Sequence, residues 1–253
     1  MNKVELHIKT KYSLDKDSTI DIEALLWNIK ENNERGVIFV DKDSIISFPK
    51  IENIYKKLCE EDNSFEDIKI CYGVEITSII ENIESNIVIV VKNQNGLNNL
   101  YEIMTKYINE YNKRISIEEV LKYRDDLLVG IIANDKSLEL DLSIFDYIEI
   151  NYKKHVSKLK NYKEKLIYSN MPNALSNDEI LAKKVLYFHQ KIDNNSECRI
   201  YKDTKSLLKE FDDEDIVIKN SNMIFDNLDR IIINDDKFYI TNIDDFNEFE
   251  MLV

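Results

Sequence analysis

Short apolar runs alternate with stretches of helical period along most of the chain, and this alternation fixes the class of fold open to it. KVELHI (3–8), GVIFV (36–40), IKICYGVEI (68–76), NIVIVV (86–91), DLLVGII (126–132), FDYIEI (145–150) and KLIYS (165–169) read as strands. Ser18 and Asp21 offer a capping box to a helix over 19–33, with Ile22, Leu25, Leu26 and Ile29 as its apolar stripe. Ser47 opens a second helix with Pro49 in its first turn and Ile51, Ile54, Tyr55 and Leu58 on one face. After Gly96, residues Leu97, Leu100, Tyr101, Met104 and Ile108 recur at helical spacing. Ser116 and Glu119 box a short helix, a basic helical stretch fills 153–165, and Ser176 with Glu179 caps a helix carrying Leu181, Val185 and Phe188. Strands followed by helical segments predict a parallel sheet or barrel of β-α units. From 204 onward the pattern reads as helices ending in a β-like piece, KFYITNI (237–243). No linker or repeat is evident, so one domain over 1–253 is expected, with a barrel over 1–200 and a helical extension over 201–253.

Composition narrows the function. Hydrophobic residues make up 43%, enough for a sizeable core. The 34 basic and 48 acidic residues give a formal net charge of −14, which opposes non-specific attraction to nucleic acid or anionic lipid but leaves a local basic site open. Only four glycines occur, with no P-loop and no dinucleotide fingerprint. Cys59, Cys71 and Cys198 lie far apart without a C-x-x-C, as expected of thiols in a reducing compartment. No apolar run reaches membrane-spanning length, and the N-terminus lacks a signal-peptide layout, so a soluble cytoplasmic protein is expected.

In such barrels chemistry gathers at the C-terminal ends of the strands. His7, Lys9, Asp41, Lys42 and Glu75 all fall at or just after such ends. Read as a strand, VELHIKTKYS (4–13) puts Val4, Leu6 and Ile8 on one face and Glu5, His7 and Lys9 on the other. Two imidazoles at that spacing would clip a metal; an imidazole beside an ammonium does not. His155 and His189 read as surface or packing residues, and Tyr101 and Phe188 as core. DDED (212–215) reads as a solvated helix start, and DDFNEFE (244–250) as an acidic surface segment, with a partner-binding tail as the alternative.

These stretches resemble the PHP (polymerase and histidinol phosphatase) domain, in the form found in PolC-type bacterial DNA polymerase III. VELHIKTKYS resembles the family's V-E-L-H-x-H-T-x-x-S opening, and VDKDSIISFPKI (40–51) its T-D-H-x-x-x-x-S-F-P segment. KICYGVEI (69–76) is similar to its Y-G-x-E strand, and IVIVVKNQNGLNNLYEIM (87–104) to a strand followed by A-K-N-x-x-G-L-x-N-L-Y. FDYIEI and YKDTKSLLKEF (201–211) also have counterparts. PolC interrupts this domain with a proofreading exonuclease shortly after the Y-G-x-E strand, whereas residues 75 to 87 here run straight on, so a stand-alone copy is expected.

The resemblance implies an α/β fold, a distorted TIM-like (β/α)7 barrel with a small C-terminal helical extension. It also implies a centre of up to three metal ions held by His, Asp, Glu and sometimes Cys. Matched motif by motif, His7 keeps the first ligand and Glu75 the bridging glutamate, but Lys9 and Lys42 stand where histidines belong. Asn86 and Ala133 fall at further ligand positions, and Met171 and Asn173 take the places of a D-x-H pair. The family's aspartate after the opening motif is Asp15 or Asp17. An ammonium brings positive charge and no lone pair, so it repels the ion it would have to bind. Lys9 or Lys42 is therefore expected to pair with Glu75 in a metal-free pocket. The resulting expectation is a catalytically inactive binding or structural module, linked to DNA replication through a protein partner. The alternative is a metal-dependent phosphoesterase acting on a phosphate ester or nucleic-acid end, with one weakly held zinc or manganese ion.

Overall fold

A computed structural model of the chain describes residues 2–190 and 198–233. KFYITNI and DDFNEFE lie outside the described residues, as do the side chains of Phe188 and His189. Seven strands form the main path of one curled sheet: β1 (Glu5–Ile8), β2 (Gly36–Lys42), β3 (Lys69–Ile80), β4 (Ile83–Val91), β6 (Leu127–Ile132), β7 (Tyr147–Ile150) and β8 (Leu166–Tyr168). A short β5 (Ile115–Ser116) pairs with β3 off this path. Around the sheet lie α1 (Ile22–Glu31), α2 (Ser47–Glu61), α3 (Gln94–Asn109), α4 (Ile117–Leu121), α5 (Lys153–Lys158) and α6 (Asn177–Gln190). The extension contributes α7 (Thr204–Phe211) and α8 (Asn220–Asp226). The architecture is that of a distorted TIM-like barrel. No helix among the described residues is long and apolar enough to cross a membrane.

The sheet is mixed, where the sequence predicted parallel order. β1–β2–β3 and β6–β7–β8 are parallel, but β4 runs antiparallel to both β3 and β6. β3 and β4 form a hairpin closed by Glu81 and Asn82, both at positive φ (50° and 66°), as a type I′ turn requires. Without a glycine in that turn, the reversal leaves no strong signal.

Alternate residues face either the helices or the inside of the curl. Ile8, Phe39, Tyr72, Ile89, Ile131 and Ile148 pack outward with Leu25 of α1, Ile51 of α2 and Leu100 of α3. Inside, Val4, Leu6, Ile38, Val40, Cys71, Val88, Val90, Tyr147 and Ile167 form an apolar layer, closed below by Phe225 of α8 and by Leu228. The alternation expected for residues 4–13 breaks within β1. Its register against β2 shifts between Glu5 and Ile8, the mark of a bulge. Leu6 lies in the inner layer and Ile8 in the outer one, so His7 and Lys9 turn inward while Glu5 turns out to pair with Lys3. Lys3 also lies 3.4 Å from Glu34, an ion cluster separate from the one around His7.

Three helices depart from expectation. α1 starts at Ile22 with Asp21 as its N-cap, accepting from Glu23 N at 3.1 Å, whereas Ser18 Oγ donates to Lys9 O at 2.6 Å. α6 leaves Leu181 and Val185 62% and 51% exposed, because it docks through Lys183 on Asp17 and Glu179 on Leu175 N rather than through an apolar stripe. Tyr101, read as core, is 37% exposed, since α3 buries Leu97, Leu100, Ile103, Met104 and Tyr107 instead.

Gly130 is fixed by packing: a Cβ there would lie 2.3 Å from Cζ of the Tyr147 ring inside the curl. We predict that Gly130→Ala lowers stability by about 1–3 kcal/mol, read as a lower urea midpoint; an unchanged midpoint contradicts this packing.

Candidate active site: a buried glutamate among cations

The apolar layer gives way at the C-terminal mouth of the curl to a polar one. β1 supplies His7, the segment just after it Lys9, β2 Lys42, β3 Glu75 and Thr77, β4 Asn86 and β7 Glu149. Glu75 is the hub. Its Oε2 lies 2.9 Å from Lys9 Nζ and 3.4 Å from His7 Nε2, and its Oε1 lies 3.3 Å from Lys42 Nζ. Lys42 reaches it because the two residues are cross-strand partners in the β2–β3 register. The same ammonium donates to Asn86 Oδ1 at 3.0 Å and Thr77 Oγ1 at 3.3 Å, and Thr77 and Asn86 face each other across β3–β4. His7 Nδ1 donates to Glu149 Oε2 at 2.8 Å, and Lys9 Nζ to Asp15 Oδ2 at 2.7 Å. One imidazole thus touches β3 on one side and β7 on the other, which only a curled sheet allows.

The charges balance: three cationic groups, His7, Lys9 and Lys42, face three carboxylates, Glu75, Glu149 and Asp15. Burial works against the charges of Glu75, His7 and Lys9, but their partners outweigh it. Burial would raise the Glu75 carboxyl, yet the His7 hydrogen bond and the charges of Lys9, His7 and Lys42 hold it well below the usual carboxylate range. Burial would lower the His7 pKa, yet Glu149 first and Glu75 second lift it to about 9. Burial opposes the Lys9 ammonium too, but Glu75 and Asp15 raise its pKa above the ordinary value.

Above Glu75 opens a cleft of about 440 Å³, lined by Lys9, Asp17, Glu75, Asn86, Met171 and Asn173, with Ile132, Asn151, Tyr152 and Arg199. Asn173 Nδ2 donates to Asp17 Oδ2 at 3.1 Å, and its Oδ1 accepts from Arg199 N at 3.0 Å. Met171 holds a positive φ of 44°, with its sulfur 3.9 Å from Asn151 Nδ2. Of the residues singled out from the sequence, Lys9, Glu75, Asn86, Met171 and Asn173 line the cleft, with His7 and Lys42 against Glu75. Both candidate aspartates come close, Asp15 on Lys9 and Asp17 on Asn173 and Lys183.

Asp41 does not join them. As the neighbour of the inward Lys42 it faces outward, accepting from Thr10 N at 2.6 Å and Thr10 Oγ1 at 2.9 Å, where it fixes the loop after Lys9. Ala133 is buried off the cleft, its N–H on Glu149 O at 2.8 Å. Sequence reasoning missed Glu149, Asn151, Tyr152 and Arg199. Glu149 carried a usable signal: it is a lone carboxylate in the apolar strand YIEI, as Glu75 is in YGVEI.

The donor set does not fit a di- or trinuclear metal centre. Two ammonium nitrogens press on the one carboxylate placed to bridge ions, and they have no lone pair to offer. Among the described residues, no group of three or more His, Cys, Asp or Glu is placed to hold an ion.

The pH dependence has a definite sign. Because the folded His7 pKa is raised from 6.5 to about 9, its stabilisation is complete below 6.5 and is lost as pH rises through 9. The contribution is on the order of 3 kcal/mol. Imidazole ¹⁵N shifts should show His7 titrating near 9 while His155, lowered first by burial and then by Lys154, titrates below 6.5. A His7 midpoint at or below 6.5 contradicts the cluster.

Comparison with known proteins agrees with the motifs. Residues 5–178 match the PHP domain family. The chain is 23% and 22% identical over 187 residues to the DNA polymerase III alpha subunits of two Staphylococcus epidermidis strains. Those alignments cover 73% of this chain but 15% of the relatives, so the chain spans a small part of their length. A solved structure from Bifidobacterium adolescentis, described as a metal-dependent phosphoesterase, shares 10% identity at a TM-score of 0.45, covering 73% of this chain and 96% of that one. With the family pattern matched over most of its length, the chain belongs to the PHP domain family.

Proposed function

We propose that this PHP domain is catalytically inactive, works without metal, and serves as a binding or structural module connected with DNA replication. The observation that carries this reading is the pair of ammonium groups, Lys9 and Lys42, at 2.9 and 3.3 Å from the Glu75 carboxylate. In an active PHP centre, as the resemblance implies, that carboxylate bridges cations. Here the protein's own cations occupy its lone pairs, and a divalent ion entering the cleft would meet two fixed positive charges. A hydrolase also needs an activated water, which a metal supplies by lowering that water's pKa. Neither an ammonium nor a paired, fully ionised glutamate replaces that role. The link to replication rests on the similarity to DNA polymerase III alpha subunits. As the resemblance implies, PolC-type chains carry an exonuclease shortly after the Y-G-x-E strand, whereas here that strand continues into a two-residue hairpin turn at Glu81 and Asn82.

A panel of phosphoesters with added Mn²⁺ tests the reading. The wild-type chain is expected to show no turnover above buffer, and Glu75→Gln is expected to lose about 3–5 kcal/mol of stability by leaving buried cations uncompensated. Mn²⁺-dependent turnover that disappears in Glu75→Gln would establish the phosphoesterase reading instead. For the replication link, affinity capture from the source cells should recover a replication protein; repeated recovery of none contradicts it.

A further inference from the structure

The basic stretch singled out in the sequence has no part in the Glu75 cluster. Residues 153–165 hold six lysines and one acid, Glu164, in a chain of net charge −14. The structure places the first of them on one outward face. In α5, His155 and then Leu159 turn inward, while Lys153, Lys154, Ser157 and Lys158 face solvent, followed by exposed Lys160. The far end of the stretch is already used: Lys165 donates to Ser143 O and Phe145 O, and Lys163 lies 3.6–3.7 Å from Asp213 and Asp215. The near end abuts the cleft, since Asn151 and Tyr152, which immediately precede α5, line it. Lys154 and Lys158 keep side chains 62% and 59% exposed and hold the 73% exposed Asp135 loosely, at 4.0 and 3.8 Å. A carboxylate at that distance on the open surface is weakly bound and readily exchanged for another.

We infer that Lys153, Lys154, Lys158 and Lys160 form a docking strip for a short acidic peptide segment of a partner protein, beginning at the rim of the cleft. The inference rests on the binding-module reading but not on the absence of catalysis. Its physics favours a peptide over nucleic acid. Fields at the surface are screened within about 8 Å at physiological salt, so the strip attracts only what lies directly over it. Two helical turns span about 10 Å, room for a few carboxylates. A nucleic-acid strand carries a charge at every phosphate and would run beyond the strip along a chain whose net charge of −14 opposes it.

The test uses fluorescence anisotropy on the full chain with two labelled probes. One is a peptide of about ten residues alternating glutamate and serine; the other is an oligothymidine of about fifteen nucleotides. The peptide should bind with salt-dependent affinity, and the combined change Lys153→Glu, Lys154→Glu, Lys158→Glu and Lys160→Glu should weaken it at least about tenfold. Lys56→Glu with Lys57→Glu, on α2, should leave it unchanged. The milder pair Lys153→Gln and Lys158→Gln should give a smaller loss while keeping the wild-type unfolding midpoint. Absence of peptide binding, binding that survives charge reversal, or oligothymidine binding as tight as the peptide would each overturn the proposal. The phosphoester assay on the same sample reads catalysis separately, so the two readings fail independently.

Discussion

A carboxylate buried to 2% exposure can stay ionised only if positive charge is brought to it, and the mouth of this barrel is arranged around that requirement at Glu75. His7 of β1, Lys9 just after it and Lys42 of β2 converge on one side chain of β3. Each of these cations is itself partly or wholly withdrawn from water, so the balance extends outward to Glu149, Asp15 and the amide of Asn86. Removing one member leaves its partners charged and dry, which makes the cluster cooperative rather than a sum of separate pairs.

The fold prepares this arrangement through its layers. Below the polar ring the inside of the curl is filled by aliphatic side chains and the Tyr147 ring, which meets Gly130 so closely that no Cβ fits between them. The low polarity of that layer strengthens every ion pair resting on it. The bulge in β1 is the local device that matters most. Without the register shift, His7 and Leu6 could not both face inward, and the imidazole that joins β3 to β7 would point at the helices. Asp41 acts from the opposite face, tying Thr10 and so holding the loop that carries Lys9 and Asp15.

Much of this was legible before any coordinates. The strand runs and the helix openings at Ser47 and Ser116 follow from pattern, and the family motif led to the pairing of Lys9 or Lys42 with Glu75, where the structure brings both. The antiparallel β4 was not, because Glu81 and Asn82 adopt a mirror-image turn with side chains that do not advertise it. The β1 bulge was hidden for a related reason: period-two reasoning assumes an unbroken pleat, and one inserted residue reverses every later assignment. Leu181 and Val185 were misread because α6 is held by Lys183 and Glu179, so its apolar residues were free to face out. Glu149 was overlooked because FDYIEI reads simply as a strand with no ligand position assigned to it, although a lone acid in an apolar strand is a physical anomaly that asks for a buried partner.

The central claim is that protein ammonium groups neutralise Glu75 in the place where the family resemblance implies a metal centre. The most direct measurement is anomalous diffraction from crystals grown with excess Zn²⁺ and Mn²⁺, recorded at each metal's absorption edge. The account predicts no anomalous peak between Lys9, Lys42 and Glu75, with both ammonium nitrogens remaining on the carboxylate. A peak within about 2.0–2.2 Å of Glu75 and His7, with the lysines displaced, would contradict it.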